Sequence, residues 1–205
     1  WLTNTIDPNV TASAPTSIVV DPGNGNIHIA YADLYNNALK YAVRTGGNWA
    51  NQTLDSFGDD VTCVSIDLDS QGNPHISYYA KGSSVLQYIV WDGISAWTKE
   101  TADTNQYTGY YNSLKVGTDD QPRIAYRKYV SGGTPEYSVW YATRTSSGQW
   151  NREPVAGLTV NALSYLALAL DRFDRPKIAF KDSDINNLMY AAKSGSWGIT
   201  IVDTG

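Results

Sequence analysis

Alternating apolar and polar positions recur along the chain in short stretches. One stretch is repeated four times, with aliphatic residues two positions apart, at Ile18/Val20, Ile66/Leu68, Leu114/Val116 and Leu168/Leu170. Alternation with a period of two is typical of a half-buried β-strand, and each copy is followed by a turn segment. No segment has the spacing of an amphipathic helix. The pattern therefore predicts an all-β chain.

Three further frames recur in the same order after each of these strands. A second strand carries Ile before a small residue and an aromatic one, at Ile29, Ile76, Ile124 and Ile178, with intervals of 47, 48 and 54 residues. A third carries an aliphatic-x-Tyr pair that ends at Tyr41, Tyr88, Tyr141 and Tyr190. A Trp opens the fourth strand at Trp49, Trp97, Trp150 and Trp197, and we expect these four side chains to be largely buried. A repeated unit of four strands at this length is the signature of a β-propeller blade.

The predicted architecture is one β-propeller domain over residues 1–205, built of four-stranded antiparallel blades. The four complete repeats lie at about 17–55, 65–103, 113–156 and 167–203. A β-sandwich array is the alternative fold, but sandwiches do not repeat four strands at this short period. Residues 1–7 match the last strand of the fourth repeat, so one extra outer strand is predicted there. Because that strand is surplus to a closed ring of four blades, we expect the chain to belong to a longer array or to an oligomer.

The frame D-x-x-G-N-P-H-I-S-Y, followed by L-x-Y and G-x-W, resembles the blades of secreted and surface-exposed bacterial and archaeal β-propellers. It is also loosely similar to sialidase-type repeats, although the sialidase motif S-x-D-x-G-x-x-W is not reproduced. The resemblance covers all four units and implies a propeller that is secreted or displayed at the cell surface. It leaves the function open, since propellers include lectins, hydrolases, lyases and scaffolds.

Composition excludes several classes of partner. The net charge of −5 argues against a nucleic acid, because such binding needs clustered Lys and Arg. No apolar run is long enough to cross a membrane, so no membrane insertion is expected. Cys63 is the one cysteine, which excludes an intramolecular disulfide. Fifteen Tyr and seven Trp against three Phe favour aromatic side chains with a polar tip.

The two histidines, His28 and His75, occupy one slot of the repeat that Arg123 and Lys177 fill in the other two units. Side chains spread around a ring do not converge on a metal, and Arg and Lys are not ordinary ligands. A structural role is therefore predicted, in which the slot bonds to a neighbouring blade or to a turn carboxylate. The Asp residues that begin the first turn are expected to cap their own backbone, at Asp21, Asp69 and Asp171. Calcium at these turns is the alternative, and we predict no cofactor and no metal.

Enzyme chemistry is poorly provided for, since the chain has no Ser-His-Asp spacing, no clustered metal ligands and no phosphate-binding loop. No catalytic residue is predicted. In a propeller, the loops between the second and third strands emerge on the same face as the connections between units, and that face commonly carries the ligand. Tyr, Asn and Asp dominate these segments, a combination suited to stacking on sugar rings and bonding their hydroxyls. The candidate ligand-binding residues are Asp33, Tyr35, Asn36, Tyr110, Tyr111, Tyr129, Asp182 and Asp184.

The predicted function is that of an extracellular, non-enzymatic module that binds a carbohydrate in the manner of a lectin. The alternative is a structural or protein-interaction scaffold within a larger propeller, adhesin or assembly, since polar exposed loops look the same without a ligand. A sialidase-like glycoside hydrolase comes third. The expected partner is accordingly a glycan or another protein.

Overall fold

The computed structural model describes residues 3, 5–8, 10, 15–56, 61–130, 136–155, 163–182 and 185–204. Within these residues the chain is all-β, with sixteen strands in four consecutive four-stranded antiparallel sheets. Strands follow sequence order within each sheet. This is the predicted arrangement of blades. The described part contains no helix that could cross a membrane.

Each blade consists of four strands, referred to below as strands a to d in chain order. Blade 1 has β1 (Thr16–Val20), β2 (Ile27–Asp33), β3 (Ala38–Thr45) and β4 (Asn48–Ser56); blade 2 has β5 (Val61–Leu68), β6 (Pro74–Ala80), β7 (Val85–Trp91) and β8 (Trp97–Asp103); blade 3 has β9 (Thr108–Val116), β10 (Pro122–Val130), β11 (Glu136–Arg144) and β12 (Trp150–Pro154); blade 4 has β13 (Leu163–Leu170), β14 (Pro176–Asp182), β15 (Asn187–Ser194) and β16 (Ser196–Thr204).

The core lies between blades rather than within them. Three clusters of buried side chains each span two consecutive blades, which we call joints 1–2, 2–3 and 3–4. The a strands also contact one another in series, through a serine hydroxyl that accepts from the next blade's backbone: Ile66 N to Ser17 Oγ at 3.1 Å, Leu114 N to Ser65 Oγ at 2.9 Å and Leu168 N to Ser113 Oγ at 3.0 Å. Since sheets packed face to face share one core, the joints hold most of the packing energy.

A Tyr–Asp hydrogen bond recurs where strand d of one blade meets strand b of the next. Tyr78 Oη donates to Asp55 Oδ2 at 2.7 Å, and Tyr126 Oη donates to Asp103 Oδ2 at 2.7 Å. Joint 3–4 has Phe180 in the tyrosine position and lacks this bond.

The segment before blade 1 reproduces this contact. Tyr31 Oη donates to Asp7 Oδ2 at 3.0 Å, and Asn51 Nδ2 donates to the carbonyl of Ile6 at 3.3 Å. Of the extra outer strand predicted at residues 1–7, the described residues 3 and 5–7 lie outside any strand. Residues 1, 2 and 4 lie outside the described residues, so the strand over 1–7 stays a prediction. Residues 6 and 7 nevertheless occupy the position that the end of a preceding blade would take.

The two outermost blades each expose a face that is buried elsewhere. Ile18 on β1 is 63% exposed, whereas its equivalents Ile66, Leu114 and Leu168 are at most 4% exposed. On blade 4, Tyr190 is 37% exposed, although its equivalents in the other blades are buried. Among the described strands, β1 and β13 form no contact comparable to those between consecutive a strands. The described blades are therefore arranged in series rather than in a closed ring.

The slot of the two histidines faces the predicted turn carboxylate in blades 2 to 4, and both histidines also contact a strand-c tyrosine of their own blade, which was not predicted. His28 Nδ1 lies 2.6 Å from Tyr41 Oη, and His75 Nδ1 lies 2.7 Å from Tyr88 Oη. In blades 2 to 4 the slot also faces a carboxylate of its own first turn, with His75 Nε2 3.8 Å from Asp69, Arg123 Nη1 2.8 Å from Asp119 and Lys177 Nζ 3.5 Å from Asp171. The turn carboxylates also accept backbone N–H groups, as expected.

The four tryptophans that open strand d are covered over most of their surface, as predicted, although none is fully buried. The rings of three of them pack edge-on against the strand-c tyrosine of the preceding blade, with centroid distances of 5.1 Å for Tyr41–Trp97, 5.3 Å for Tyr88–Trp150 and 5.5 Å for Tyr141–Trp197. They lie at the rim of the joint, because strand d is the outer edge of each sheet.

Candidate functional site

A cleft of about 350 Å³ opens at joint 2–3, on the face where the b–c loops and the connections between blades emerge. It is lined by five tyrosines and one arginine from blades 2 and 3 and the connection between them: Tyr79, Tyr107, Tyr110, Arg127, Tyr129 and Tyr137. We call it the tyrosine cleft. Its size lies at the lower end of the ~300–1,000 Å³ range of small-molecule sites.

A β-bulge in strand a shapes one wall of the cleft. The ladder between β9 and β10 shifts register beside Tyr110 and Tyr111, and Tyr111 adopts a φ of 47°. The same slot has a positive φ at Cys63 and Tyr165. This conformation is uncommon for a residue with a side chain and stores strain that the surroundings must hold. The bulge therefore turns successive side chains toward the cleft instead of alternating them across the sheet.

Asn112 holds this bulge against blade 2. Its Oδ1 accepts from Ser77 Oγ at 2.7 Å, and its Nδ2 donates to the carbonyls of Cys63 at 2.6 Å and Gly109 at 2.9 Å. Gly109 has a φ of 109°, and a Cβ there would lie 2.8 Å from Leu86 Cα. Only glycine fits this close approach to Leu86. The bonds of Asn112 to Ser77 and Cys63 anchor this wall of the cleft, which belongs to blade 3, to blade 2.

Arg127 lies at the centre of the aromatic side chains. Its guanidinium carbon is 4.8 Å from the ring centroid of Tyr110, 4.9 Å from that of Tyr111 and 4.3 Å from that of Tyr137. Cation–π attraction at these distances fixes the guanidinium among the three rings. A fixed guanidinium presents its N–H donors in a defined direction.

The remaining rings extend this cluster across the face. Centroid distances are 4.7 Å for Tyr79–Tyr110, 5.7 Å for Tyr107–Tyr129, 5.5 Å for Tyr129–Tyr137 and 5.3 Å for Tyr111–Tyr165. Burial raises the pKa of Tyr79 and of Tyr111, so both phenols stay neutral at physiological pH. Neutral phenols both donate and accept hydrogen bonds.

The cleft can therefore stack on an apolar ligand face and bond polar groups at its rim. The six described lining residues include no carboxylate, histidine or cysteine. Among the described residues of the whole chain, no group of three or more His, Cys, Asp or Glu side chains is placed to hold a metal ion. The chemistry available in the cleft is recognition by aromatic faces, hydroxyls and one guanidinium.

Three of the eight predicted site residues come together here. Tyr110 and Tyr129 line the cleft, and Tyr111 contacts its arginine. The other described ones lie elsewhere, in the loops of blades 1 and 4: Asp33, Tyr35, Asn36 and Asp182. Asp184 lies outside the described residues.

The blade 1 loop uses two of its predicted residues to close itself. Asp33 is 1% exposed and accepts from the backbone N of Asn36 at 3.2 Å and from its side-chain amide at 2.8 Å. Tyr35 is 78% exposed, and Asp182 is buried. Of this group, Tyr35 and Asn36 are exposed, and Asp33 and Asp182 are buried.

Sequence reasoning did not select Tyr79, Tyr107, Arg127, Tyr137 or Tyr165. Tyr79 and Arg127 share one slot, directly after the repeated strand-b tyrosine, and the other two blades have Ala32 and Lys181 there. A slot whose residue type changes between otherwise regular repeats is the signal that could have found them.

A second cleft of about 370 Å³ lies against β1, lined by Ile6, Asp7, Val10, Thr16, Ile18, Ile29 and Tyr31. Its lining corresponds to surface that the neighbouring blade covers at the internal joints. Because its polar groups already bond to one another, it is a weaker candidate for a small ligand.

No family model and no curated protein matches the chain. Solved structures match it along most of its length. A protein of unknown function from Dyadobacter fermentans has a TM-score of 0.68 at 10% identity, over 90% of this chain and 68% of that one. The lectin of Aleuria aurantia, in complex with Fucα1-6GlcNAc, has a TM-score of 0.64 at 16% identity, over 94% and 64%. A thermostable family-43 glycoside hydrolase has a TM-score of 0.61 at 11% identity, over 97% and 76%.

These likenesses confirm the predicted β-propeller fold. The chain spans about two-thirds of the length of the first two structures. At such low identity the likeness concerns the fold alone, and it covers a lectin and a hydrolase alike.

Proposed function

We propose that the chain is a non-enzymatic carbohydrate-binding module and that the tyrosine cleft holds the sugar. The observation that carries the proposal is the ring of tyrosines around Arg127 on the loop face. A sugar ring has a C–H face that stacks on aromatic side chains and a rim of hydroxyls that bond to phenols and guanidinium groups. Both kinds of partner lie within one cleft here.

The comparisons support this proposal by fold. The Aleuria aurantia structure contains a lectin bound to a fucose disaccharide, which makes Fucα1-6GlcNAc a reasonable first probe. The family-43 hydrolase shares the fold, so the fold does not separate binding from catalysis. The non-enzymatic part rests on the described lining, which offers no pair of groups for general acid–base catalysis.

A glycan array that includes Fucα1-6GlcNAc, followed by calorimetry with the strongest binder, tests the proposal. The double variant Tyr110→Ala/Tyr111→Ala should abolish binding of that glycan. Its melting temperature should stay within a few degrees of the parent, because both side chains lie at the surface of the joint.

Tyr35→Ala is the matched control, since it removes a tyrosine from the same face but outside the cleft. It should bind the glycan as the parent does. Unchanged binding by the double variant would reject the cleft as the site. Release of a reducing sugar from the bound glycan would reject the non-enzymatic assignment.

A further inference from the structure

The outer parts of joints 2–3 and 3–4 are closed by a recurring polar contact. Trp150 Nε1 donates to Glu100 Oε2 at 2.9 Å, and Trp197 Nε1 donates to Glu153 Oε1 at 3.3 Å. A basic residue at the end of strand c pairs with the same carboxylate, Arg144 with Glu100 at 2.7 Å and Lys193 with Glu153. At both joints the indole N–H of the later blade has an acceptor on the earlier one.

Joint 1–2 has the same frame with different residues. Gln52 takes the place of the glutamate, and Trp91 takes the place of the basic residue. Trp97 is the equivalent of Trp150 and Trp197, yet its buried Nε1 has no hydrogen-bond partner among the described residues. The contact that closes the other two joints is therefore missing here.

A second unpartnered polar atom lines the same place. His28 is 6% exposed, its Nδ1 bonds to Tyr41, and its buried Nε2 has no partner among the described residues. The two atoms belong to residues that line a single cleft of about 280 Å³, together with Tyr41, Gln52, Asn73 and Trp91. Buried polar atoms are almost always bonded, to protein or to ordered water, so two orphans on one cleft mark a place where a hydrogen-bonding group is needed.

The chemistry of the lining selects the class of ligand. An indole N–H only donates, so the ligand must supply an acceptor. Burial lowers the pKa of His28, more than nearby Asp21 raises it, so the ring is neutral at physiological pH and its Nε2 can donate or accept. A hydroxyl satisfies both orphans whichever tautomer is present. The lining carries no formal charge, and the carboxylate of Asp21 lies beside Gly72 of the lining, which disfavours an anionic ligand.

The aromatic walls add a shape requirement. The ring centroid of Trp97 lies 5.1 Å from that of Tyr41 and 5.6 Å from that of Trp91. The Tyr41 and Trp91 rings are inclined at 67° and 58° to the Trp97 indole, so the cleft has apolar ring surface beside its polar atoms. A volume of about 280 Å³ holds roughly nine water-sized groups, which is comparable with one sugar ring and its hydroxyls.

We propose that the cleft at joint 1–2 binds a single uncharged sugar residue, with hydroxyls on Trp97 Nε1 and His28 Nε2. Asn73 lies in the a–b turn, and Trp91 and Trp97 flank the c–d turn, so this site opens on the face opposite the tyrosine cleft. The module then has two sugar sites, one on each face. The second site does not depend on the first.

The test follows the indole N–H resonance of Trp97 in protein labelled with ¹⁵N-tryptophan, assigned with Trp97→Phe. Fucose, galactose, glucose, mannose and N-acetylglucosamine are each titrated to tens of millimolar, with glucuronate as the charged probe. At least one neutral sugar should shift this resonance in a saturable way, and glucuronate should not.

Two variants sharpen the test. Gln52→Glu/Trp91→Arg rebuilds the contact of joint 2–3 and should weaken binding by at least about tenfold. Trp97→Phe keeps an aromatic ring, although a smaller one, and removes the N–H donor. Binding, measured by calorimetry, should weaken to a similar degree. Tyr110→Ala/Tyr111→Ala should leave this binding unchanged, which separates the site from the tyrosine cleft.

The proposal is overturned if no neutral sugar shifts the Trp97 resonance, or if the rebuilt joint binds as tightly as the parent. It is equally overturned if the shift disappears in Tyr110→Ala/Tyr111→Ala, because the effect would then come from the other face. Should the rebuilt joint fail to fold, Trp97→Phe decides alone.

Discussion

Joint 2–3 is held by buried polar groups, whereas joint 3–4 is apolar at the equivalent position. In joint 2–3, Asp103 is fully buried and accepts from Tyr126 at 2.7 Å and from the side chain of Asn105 at 2.7 Å. Lys128 and Arg152 lie 3.7 and 3.9 Å from the same carboxylate. In joint 3–4, Phe180 packs with Val155 and Met189 in an apolar cluster.

The difference shows that the repeat fixes the position of a buried ring but not its chemistry. Tyr126 and Phe180 are both at most 1% exposed. The Tyr126 hydroxyl has a carboxylate acceptor, and the Phe180 ring has apolar neighbours. A buried carboxylate is costly unless it is fully bonded, while an apolar cluster has no such condition. The two joints should therefore respond differently to the same kind of substitution.

The largest effect is expected for Asp103→Ala. It leaves the Tyr126 hydroxyl without its acceptor and two cations without their counter-charge, at a cost of about 3–5 kcal/mol in the free energy of unfolding. Urea denaturation followed by tryptophan fluorescence measures this cost. Asp119→Ala, which removes an exposed carboxylate from its ion pair with Arg123, is the control and should cost less than about 1 kcal/mol. Equal costs for the two variants would mean that the buried network adds nothing to joint 2–3.

Phe180→Tyr should have an intermediate effect. It places a hydroxyl in the apolar cluster, where it has no carboxylate to meet, and should cost about 1–3 kcal/mol. The reverse change, Tyr126→Phe, removes one of several donors to Asp103 and should cost about 1 kcal/mol. The same denaturation measures both variants. If Phe180→Tyr left the free energy of unfolding unchanged, water would reach this ring, and the contrast between the joints would be smaller than described.

The smallest effect concerns pH and the rim of joint 2–3. Burial would raise the pKa of Glu100, but the hydrogen bonds from Arg144 and Trp150 outweigh it, so the pKa lies below its usual value of 4.5. The unfolded chain thus takes up the proton first, and the contribution of Glu100 to stability is present above pH 4.5 and lost as the pH falls through the folded pKa.

Glu100→Gln should accordingly be less stable than the parent at pH 7 by less than about 1 kcal/mol, because the pair is partly exposed. The difference in stability should shrink as the pH is lowered from 5 toward 3. Urea denaturation at pH values about 0.5 units apart measures it. A difference that is constant with pH would show that the pair acts through packing rather than charge.

The repeat frame predicted most of the fold, because each recurring residue has a fixed packing role. Ile76, Ile124 and Ile178 are fully buried at the same point of strand b, as their spacing requires. The bulge at Tyr111 was beyond this reasoning, since alternation does not reveal an extra residue that depends on a bond from Asn112.

The candidate site was predicted only in part. The loop face and Tyr110, Tyr111 and Tyr129 were found, because long aromatic side chains in irregular segments stand out from the repeat. Asp33 and Asn36 were selected on residue type, yet short polar side chains in turns often bond to one another first. The secreted or surface location stays a prediction.

The serial arrangement of the blades has a consequence for how the protein opens. Blades 2 and 3 each have two described joints, whereas blades 1 and 4 have one, so local unfolding should be cheapest in the outer blades. Amide hydrogen exchange should therefore be slowest in blades 2 and 3. A sugar in the joint 1–2 cleft would clamp blade 1 to blade 2 and slow exchange across an entire outer blade, far from the atoms it touches.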